Sequence, residues 1–193
     1  MLETERKLGP EDVGMLLSAE EFANADFVES YVYERVRGRL AVMSPAGPEH
    51  RRASRPFRRE LGAYWGMHPD TIDDADREGW VATSPDNDRM PDICVYLAGD
   101  SSGQTVPHRV PDLVFEFVSG SRADQERDYI HKRIEYHAIG VKEYVIVDRF
   151  LRRALVMSCE PNDYHERTLD ASGTYQTPLL PGLSVELTEV FAE

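Results

Sequence analysis

Cysteine is scarce in this sequence, and the two cysteines present lie far apart. Cys94 and Cys159 form no CxxC pair, which excludes a disulfide framework and a cysteine-rich zinc site. The six histidines also lack the spacing of zinc ligands. So few thiols fit a reducing compartment, and we therefore expect a cytoplasmic protein.

Long apolar runs are also missing. No stretch approaches the roughly 18 apolar residues that cross a bilayer, and the opening "MLETERKLGPEDVG" lacks the basic-then-apolar layout of a signal peptide. We therefore expect no membrane contact. Internal repeats and low-complexity linkers are absent, which predicts a single domain over residues 1–193. The sequence contains neither a GxSxG elbow nor a glycine-rich phosphate loop, which argues against a serine hydrolase and a P-loop enzyme.

Positive charge is in short supply. The net charge is -13, from 35 acidic against 22 basic residues, which disfavours non-specific attraction to nucleic acid. One stretch departs from this balance: "EHRRASRPFRRE" holds five arginines against two acids. It is either a solvated helix face or a phosphate-contact surface, the latter carried by Arg51, Arg52 and Arg55.

Hydrophobic periodicity and turn residues predict an α/β fold with a mixed sheet. Ser18 and Glu21 form a capping-box pattern, and Arg37-Gly38 marks a hairpin turn. The clearest helix is "RADQERDYIHKRIEYHAIG", where Ile130 and Ile134 recur at four-residue spacing before a C-terminal glycine. The other predicted elements are a helix over 49–67, strands at "GWVATS", "DICVYL", "DLVFEFVS", "KEYVIVD" and "RALVMSC", and a closing segment "PLLPGLSVELTEVF".

Three carboxylates interrupt predicted strands where apolar residues are expected. In "YVYERV", alternation places Glu34 on the same face of the strand as Val32 and Val36. Asp92 begins "DICVYL", and Glu116 lies inside "LVFEFV". Like charges in one small sheet raise each other's pKa, and a bound divalent cation reverses that penalty. The set therefore predicts convergence on a cation.

Carboxylate oxygens suit Mg²⁺ or Mn²⁺, which accept one or two carboxylates together with waters and substrate phosphate. A nearby side-chain cation would stabilise negative charge in the transition state. Lys132 is the candidate, because lysine occurs only three times against 19 arginines. It lies four residues after Asp128 and four before Tyr136, on one helical face.

The same residues can also be interpreted as purely structural, with no catalytic or metal-binding role. Each acid could be a strand-end residue bonded to the backbone or to an arginine, and this is the preferred interpretation for Asp112. Lys132 could pair with Asp128 on a solvated helix face. A helix-start surface position would explain His50.

Several motifs occur together in an order that resembles a known family. They are "YERVRGRLAVMSP…H", "MPDICVYL", "VPDLVFEFVSGS", "DYIHKRIEYHAIGVKEYVIVD" and "TPLLPGLSVELTEVF". This set is similar to the Uma-type family of proposed restriction endonucleases, within the PD-(D/E)XK nuclease superfamily. The resemblance covers nearly the whole chain and is strongest over residues 111–148.

The resemblance implies a restriction-endonuclease-like core, in which helices flank a central mixed β-sheet, with an N-terminal helix and hairpin and a C-terminal β extension. It also implies Mg²⁺-dependent (or Mn²⁺-dependent) cleavage of DNA phosphodiester bonds. Asp92 matches the PD aspartate, Glu116 the acid of the next strand, and Glu34 the acid of the early hairpin; these three would hold the metal. Lys132 matches the catalytic lysine. His50 falls where the family often has histidine, and we group it with Arg51, Arg52 and Arg55 as a DNA contact. We expect a homodimer.

One departure concerns the lysine of the superfamily motif. Two residues after Glu116 stands Val118, so the site depends on Lys132 reaching in from the helix. Two other functions stay open. One is a catalytically inactive nuclease-fold protein that binds a protein or nucleic acid, and the other is hydrolysis of a small phosphorylated molecule.

Overall fold

The computed structural model describes residues 6–76, 79–99 and 109–192, so most of the predicted loop from Gly99 to Pro107 lies outside the described residues. In chain order the strands are β1 Val32–Val36, β2 Arg39–Met43, β3 Ile72–Asp76, β4 Val81–Ser84, β5 Asn87–Arg89, β6 Ile93–Leu97, β7 Leu113–Phe117, β8 Glu143–Asp148, β9 Arg153–Cys159, β10 Tyr164–Asp170, β11 Thr174–Tyr175 and β12 Val185–Glu186. The helices are α1 Ala19–Ala23, α2 Pro48–Met67, α3 Arg122–Glu126, α4 Arg133–Ile139 and α5 Leu187–Val190, with a 3₁₀ turn at Pro10–Asp12 and a π-helical segment at Arg127–Lys132.

The central element within the described residues is a six-stranded mixed sheet. Its order is β10-β9-β8-β7-β6-β3. Strands β7 and β8 are parallel, and the other neighbours are antiparallel. Strands β2-β1-β5-β4 form a second, antiparallel sheet, and β11 pairs with β12 near the C-terminal end. The predicted mixed sheet with flanking helices, the N-terminal helix and hairpin, and the C-terminal β extension are all present.

Strand β7 lies at the centre of the core, with both of its faces buried. Leu113, Phe115 and Phe117 belong to the apolar cluster that contains α2. Val114 and the residue that follows the strand, Val118, face the opposite cluster, against the helical layer of residues 122–139. Since side chains alternate along a strand, Glu116 faces that helical layer too.

The local signals at the N-terminal end are confirmed. Ser18 caps α1 and forms the predicted capping box with Glu21. Strands β1 and β2 meet at a turn in which Arg37 and Gly38 both have positive φ, 53° and 70°, as a type I′ hairpin requires. Helix α2 continues through Pro56, which is buried within it.

The clearest predicted helix buries the side that carries polar residues and exposes the side that carries its isoleucines. Residues 122–139 are helical and end at Gly140 in the left-handed conformation, as predicted, but the middle of the run is π-helical. Ile130 and Ile134 are 51% and 64% exposed, so the four-residue spacing of isoleucines marks the solvent side. The buried side instead carries Asp128, Lys132 and Tyr136.

No helix in the described ranges is long and apolar enough to span a membrane. The single domain over 1–193 stays a prediction.

Candidate active site

The buried acid of β7 is bonded by two side chains from the helical layer. Lys132 Nζ lies 2.7 Å from Glu116 Oε1, and the Tyr136 hydroxyl donates to the same oxygen at 3.0 Å. Lys132 and Tyr136 are four residues apart on the buried helix side, so one helix face supplies both donors. The buried charge of Glu116 is thereby compensated by protein groups from a single neighbouring element.

Lys132 does not lie on a solvated face, and that interpretation is wrong. The residue is 2% exposed, and its Nζ lies 3.2 Å from Glu34 Oε1 and 3.8 Å from Asp128 Oδ1 as well as contacting Glu116. Burial alone would lower the pKa of Lys132, but the three carboxylates outweigh it and hold the pKa above its ordinary value. Lys132 is therefore a permanent cation at neutral pH.

Val118 explains why the lysine comes from the helix. The side chain of Val118 is fully buried in the cluster beneath the helical layer, and its N–H donates to the Val147 carbonyl. An ammonium at position 118 would enter an apolar environment, which is costly without a partner. The ammonium of Lys132 instead reaches Glu116 from the facing helix.

Glu34 is the second buried carboxylate, and both of its oxygens accept bonds. Arg89 Nη1 lies 2.9 Å from Oε2, while the Met90 N–H donates to Oε1 at 3.1 Å, the oxygen that also faces Lys132. Burial raises the pKa of Glu34, but Lys132 and Arg89 outweigh it and lower the pKa to about 2. Glu34 is therefore a fixed anion that helps to hold Lys132.

Asp92 is the most accessible carboxylate of the predicted set, with a side chain 28% exposed. Its Oδ2 accepts the Phe117 N–H at 2.8 Å, which fixes the start of β6 against the end of β7. His50 Nε2 lies 3.0 Å from the same oxygen. The His50 side chain is only 13% exposed, so the surface interpretation of this histidine is wrong, and it orients Asp92.

The structure brings these side chains to one cavity of about 350 Å³. Glu34, His50, Asp92, Glu116 and Lys132 all line it, together with three residues whose place in the site the sequence did not indicate, Asp124, Arg127 and Asp128. With five carboxylates against two cations, counting histidine as neutral, the wall carries a formal charge of about -3. The cavity is electrostatically suited to a cation.

Two buried carboxyl groups in this cavity, those of Glu116 and Asp128, have raised pKa values. Burial raises the pKa of Glu116 to about 8; Asp128 and Asp92 add to the rise, and Lys132 opposes it. Asp128 itself has a raised pKa, chiefly from burial, although Lys132 and Arg127 oppose the shift. A divalent cation would relieve this repulsion.

The donor set fits a metal held by few protein ligands. Among the described residues, no group of three or more His, Cys, Asp and Glu side chains has the arrangement of a metal site. Glu34 is occupied by protein donors, whereas Asp92 Oδ1 and Glu116 Oε2 have no hydrogen bond within the described part of the chain. Two carboxylates are what Mg²⁺ commonly takes, with water and substrate oxygens completing its shell. The metal role of all three acids stays a prediction, which the geometry favours for Asp92 and Glu116.

Apo-protein stability should depend on pH through Glu116. Its folded-state pKa lies above the ordinary value of 4.5, so the folded protein binds the proton more tightly than the unfolded chain does. Stability should therefore fall as pH rises from about 4.5 to about 8. Differential scanning fluorimetry in EDTA should show a Tm lower by roughly 5 °C or more at the upper end, and Mn²⁺ should recover most of the loss.

The control for this dependence is Glu116→Gln, which cannot titrate. The Tm of this variant should fall less steeply with pH. A smaller pH dependence should remain because of Glu143, whose pKa is also raised by burial. A wild-type Tm that is constant over this range, together with a Mn²⁺ effect that is independent of pH, would contradict the prediction.

The arginines predicted as DNA contacts lie on the first two turns of α2, beside the cavity rather than in it. Arg51, Arg52 and Arg55 are all exposed. Arg51 donates to the Ala46 carbonyl, and Arg52 pairs with Glu49 at 3.5 Å. Their role in DNA binding stays a prediction.

Arg89 and Glu135 complete the site, although no sequence pattern singled them out. Arg89 donates to both oxygens of Glu135, at 2.6 and 2.7 Å, besides its bond to Glu34. Glu135 also accepts a bond from the Thr83 hydroxyl at 2.8 Å. The three residues tie the second sheet to the helix of Lys132. The only available signal was that Glu135 lies three residues after Lys132.

A family model described as "Putative restriction endonuclease", Uma2, matches residues 19–188. Among solved structures, one from Anabaena variabilis ATCC 29413, described as a "putative nuclease belonging to DUF820", superposes with a TM-score of 0.71 at 14% identity, covering 91% of this chain and 98% of that one. At this identity the likeness establishes the fold. No curated protein matches the chain. Because the family model spans nearly all of the sequence, the chain belongs to the Uma2 family.

Proposed function

We propose that this protein is a metal-dependent endonuclease that hydrolyses phosphodiester bonds of DNA. The observation that carries the proposal is the cavity in which a permanent cation, Lys132, lies 2.7 Å from a buried carboxylate, Glu116, beside the accessible Asp92. The family of the chain supports nuclease function. DNA as the substrate and the need for a metal are part of the proposal.

Asp92 and Glu116 would hold Mg²⁺ or Mn²⁺. When bound, such an ion polarises a phosphoryl oxygen and makes its water a stronger nucleophile. His50 and the Phe117 N–H keep Asp92 oriented through its Oδ2 oxygen, which leaves Oδ1 directed to other partners.

Lys132 would act as a hydrogen-bond donor and not as a base. Its raised pKa keeps the ammonium protonated at neutral pH, so it cannot accept a proton from water. It can donate to the attacking water or to a non-bridging phosphate oxygen, where negative charge grows in the transition state. Glu34, Glu116 and Asp128 hold Nζ in place for that role.

A cleavage assay tests the proposal. Purified protein should nick or linearise plasmid DNA, or cut a single-stranded oligonucleotide, with Mg²⁺ or Mn²⁺, and EDTA should stop the reaction. Lack of cutting under all of these conditions would contradict it. DNA binding without cutting would then support a catalytically inactive nuclease-fold protein.

The net charge of -13 favours an inactive form that binds a protein partner, since any protein that binds DNA, whether or not it cuts, gains from electrostatic attraction to DNA. The negative charge would equally suit hydrolysis of a small phosphorylated molecule, which a separate assay of phosphate release from mononucleotides with the same metals would detect. The homodimer and the cytoplasmic location stay predictions, and size-exclusion chromatography with light scattering tests the former.

A further inference from the structure

A second cavity, of about 360 Å³, adjoins the first. The two cavities share Glu34, Met43 and Arg127 on their walls. The second is formed mainly by the β1–β2 hairpin, the start of β5 and the helical layer.

The second cavity has the opposite charge. Its wall carries Arg37, Arg89 and Arg127 against Glu34 and Glu135, a formal charge of about +1 with histidine neutral, whereas the first cavity carries about -3. One cavity thus suits a cation and its neighbour suits an anion. The positive wall of the second cavity contrasts with the overall excess of acidic residues in the protein and is suited to a negatively charged ligand.

Two of these three arginines are already bonded. Arg89 is held by Glu34 and Glu135, and Arg127 pairs with Asp124 at 2.9 Å and with Asp128 at 3.3 Å. The guanidinium of Arg37, by contrast, is exposed and makes no ion pair or side-chain hydrogen bond within the described ranges. It is the cation on this wall that remains available to a ligand.

Arg37 is also held in an unusual backbone conformation. Its φ is 53°, in a turn position that normally takes Asn, Asp or Gly. Its N–H donates to Asn87 Oδ1 at 2.7 Å, and Asn87 lines the same cavity. The bond to Asn87 thus fixes the backbone of Arg37 beside the wall of the second cavity.

The position also fits a strand that passes through the first cavity. Arg37 follows Glu34 by three residues in or next to β1, so the two Cα atoms are about 10 Å apart at the rise of a strand. A single strand with one phosphate in the first cavity could therefore bring a neighbouring phosphate close to Arg37.

We propose that the second cavity is a phosphate subsite, in which Arg37 binds a backbone phosphate of the same DNA strand whose scissile phosphate occupies the first cavity. The proposal rests on the proposed function for the identity of the strand. It assigns Arg37 to substrate binding and leaves the chemistry to Asp92, Glu116 and Lys132.

The test uses Arg37→Asn, with Arg152→Asn as a matched control. Arg152 also has a positive φ, 50°, in a hairpin turn, is exposed and lines neither cavity. Asparagine tolerates this conformation, so neither change should lower Tm, and both remove one positive charge. Affinity for a fluorescent single-stranded oligonucleotide is measured by anisotropy at several salt concentrations in Ca²⁺, a cation with the same preference for oxygen ligands, which would offset the negative charge of the first cavity.

We expect Arg37→Asn to raise Kd about tenfold, as the loss of one charge-assisted contact does. The slope of log Kd against log salt should shrink by about one. Arg152→Asn should match the wild type. Equal effects of the two substitutions would overturn the subsite. If Arg37→Asn weakens the binding of inorganic phosphate but not that of the oligonucleotide, the subsite is also overturned, because the cavity then binds a free anion and not a DNA strand.

The outcomes separate this inference from the proposed function. If the wild type cuts DNA and Arg37→Asn binds the oligonucleotide as tightly as the wild type does, only the phosphate subsite is contradicted. Binding that depends on Arg37 in a wild type that does not cut supports the subsite and removes the nuclease. A wild type that neither binds nor cuts the strand overturns both.

Discussion

Replacing Asp92 by asparagine should lower the rate of metal-dependent DNA cleavage about a thousandfold or more and leave the fold intact. The change removes one of the two carboxylates available to the metal, and with it most of the charge stabilisation that such an ion supplies. Asparagine keeps an oxygen that can accept the Phe117 N–H. The measurement is the initial rate of plasmid cleavage in Mg²⁺ or Mn²⁺, with Tm determined on the same samples.

Asp112→Asn provides a closely matched control. Asp112 also follows a proline and begins a strand, and it accepts the Leu97 N–H at 2.7 Å, just as Asp92 accepts that of Phe117. It pairs with Lys142 at 2.8 Å and lies outside the cavity. Each substitution should lower stability by about 1 kcal/mol, but only that at Asp92 should stop cleavage. Equal losses of activity would show that the strand-end bond matters and not the metal.

This pair shows what the sequence could and could not predict. "MPDICV" and "VPDLVF" are alike as patterns, and the two aspartates have equivalent bonds to neighbouring strands. The preference for a backbone-bonded Asp112 is confirmed, although its ionic partner is a lysine and not an arginine. Which aspartate faces the cavity depends on how α2 and the hairpin pack around the sheet, and this is a long-range property that local spacing does not encode.

The helical layer shows a second limit. The four-residue spacing of Ile130 and Ile134 correctly indicated a helix, yet both side chains are exposed. The buried side carries Asp128, Lys132 and Tyr136 because their partners, Glu116 and Glu34, lie below it on the two sheets. A charged helix face is buried only where another element supplies the opposite charge, which periodicity within the helix cannot reveal. Motif order identified Lys132 where hydrophobicity did not.

The π-helical segment is a third feature beyond local prediction. It spans Arg127–Lys132 and lies at the cavity wall, where such segments frequently occur in proteins. The Tyr144 hydroxyl donates to the Asp128 carbonyl at 2.9 Å, which satisfies a backbone oxygen within this segment. No residue of the segment is a proline or a glycine, so no local signal indicated that the helix would widen.

Replacing Lys132 by methionine should have the largest effect on stability. The ammonium contacts three buried carboxylates, and removing it leaves their charge uncompensated. Breaking a buried ionic cluster in this way lowers the free energy of unfolding by about 3–5 kcal/mol, which denaturant unfolding at about pH 9 would measure, above the pKa of about 8 at which Glu116 ionises in the folded protein. Lys142→Met is the matched control. It removes a lysine that is 43% exposed and paired with Asp112, and it should lose about 1 kcal/mol or less.

The double variant Lys132→Met/Glu116→Gln separates the ionic role of Lys132 from its role in packing. Glutamine at position 116 removes one of the uncompensated charges and can still accept the bond from Tyr136. The double variant should therefore be about 1–3 kcal/mol more stable than Lys132→Met alone, a coupling typical of charged groups in contact. Cleavage should remain absent in both, since each lacks the donor that stabilises the developing charge. Lys132→Met that folds as stably as the wild type and still cuts DNA would remove Lys132 from the mechanism and from the ionic cluster together.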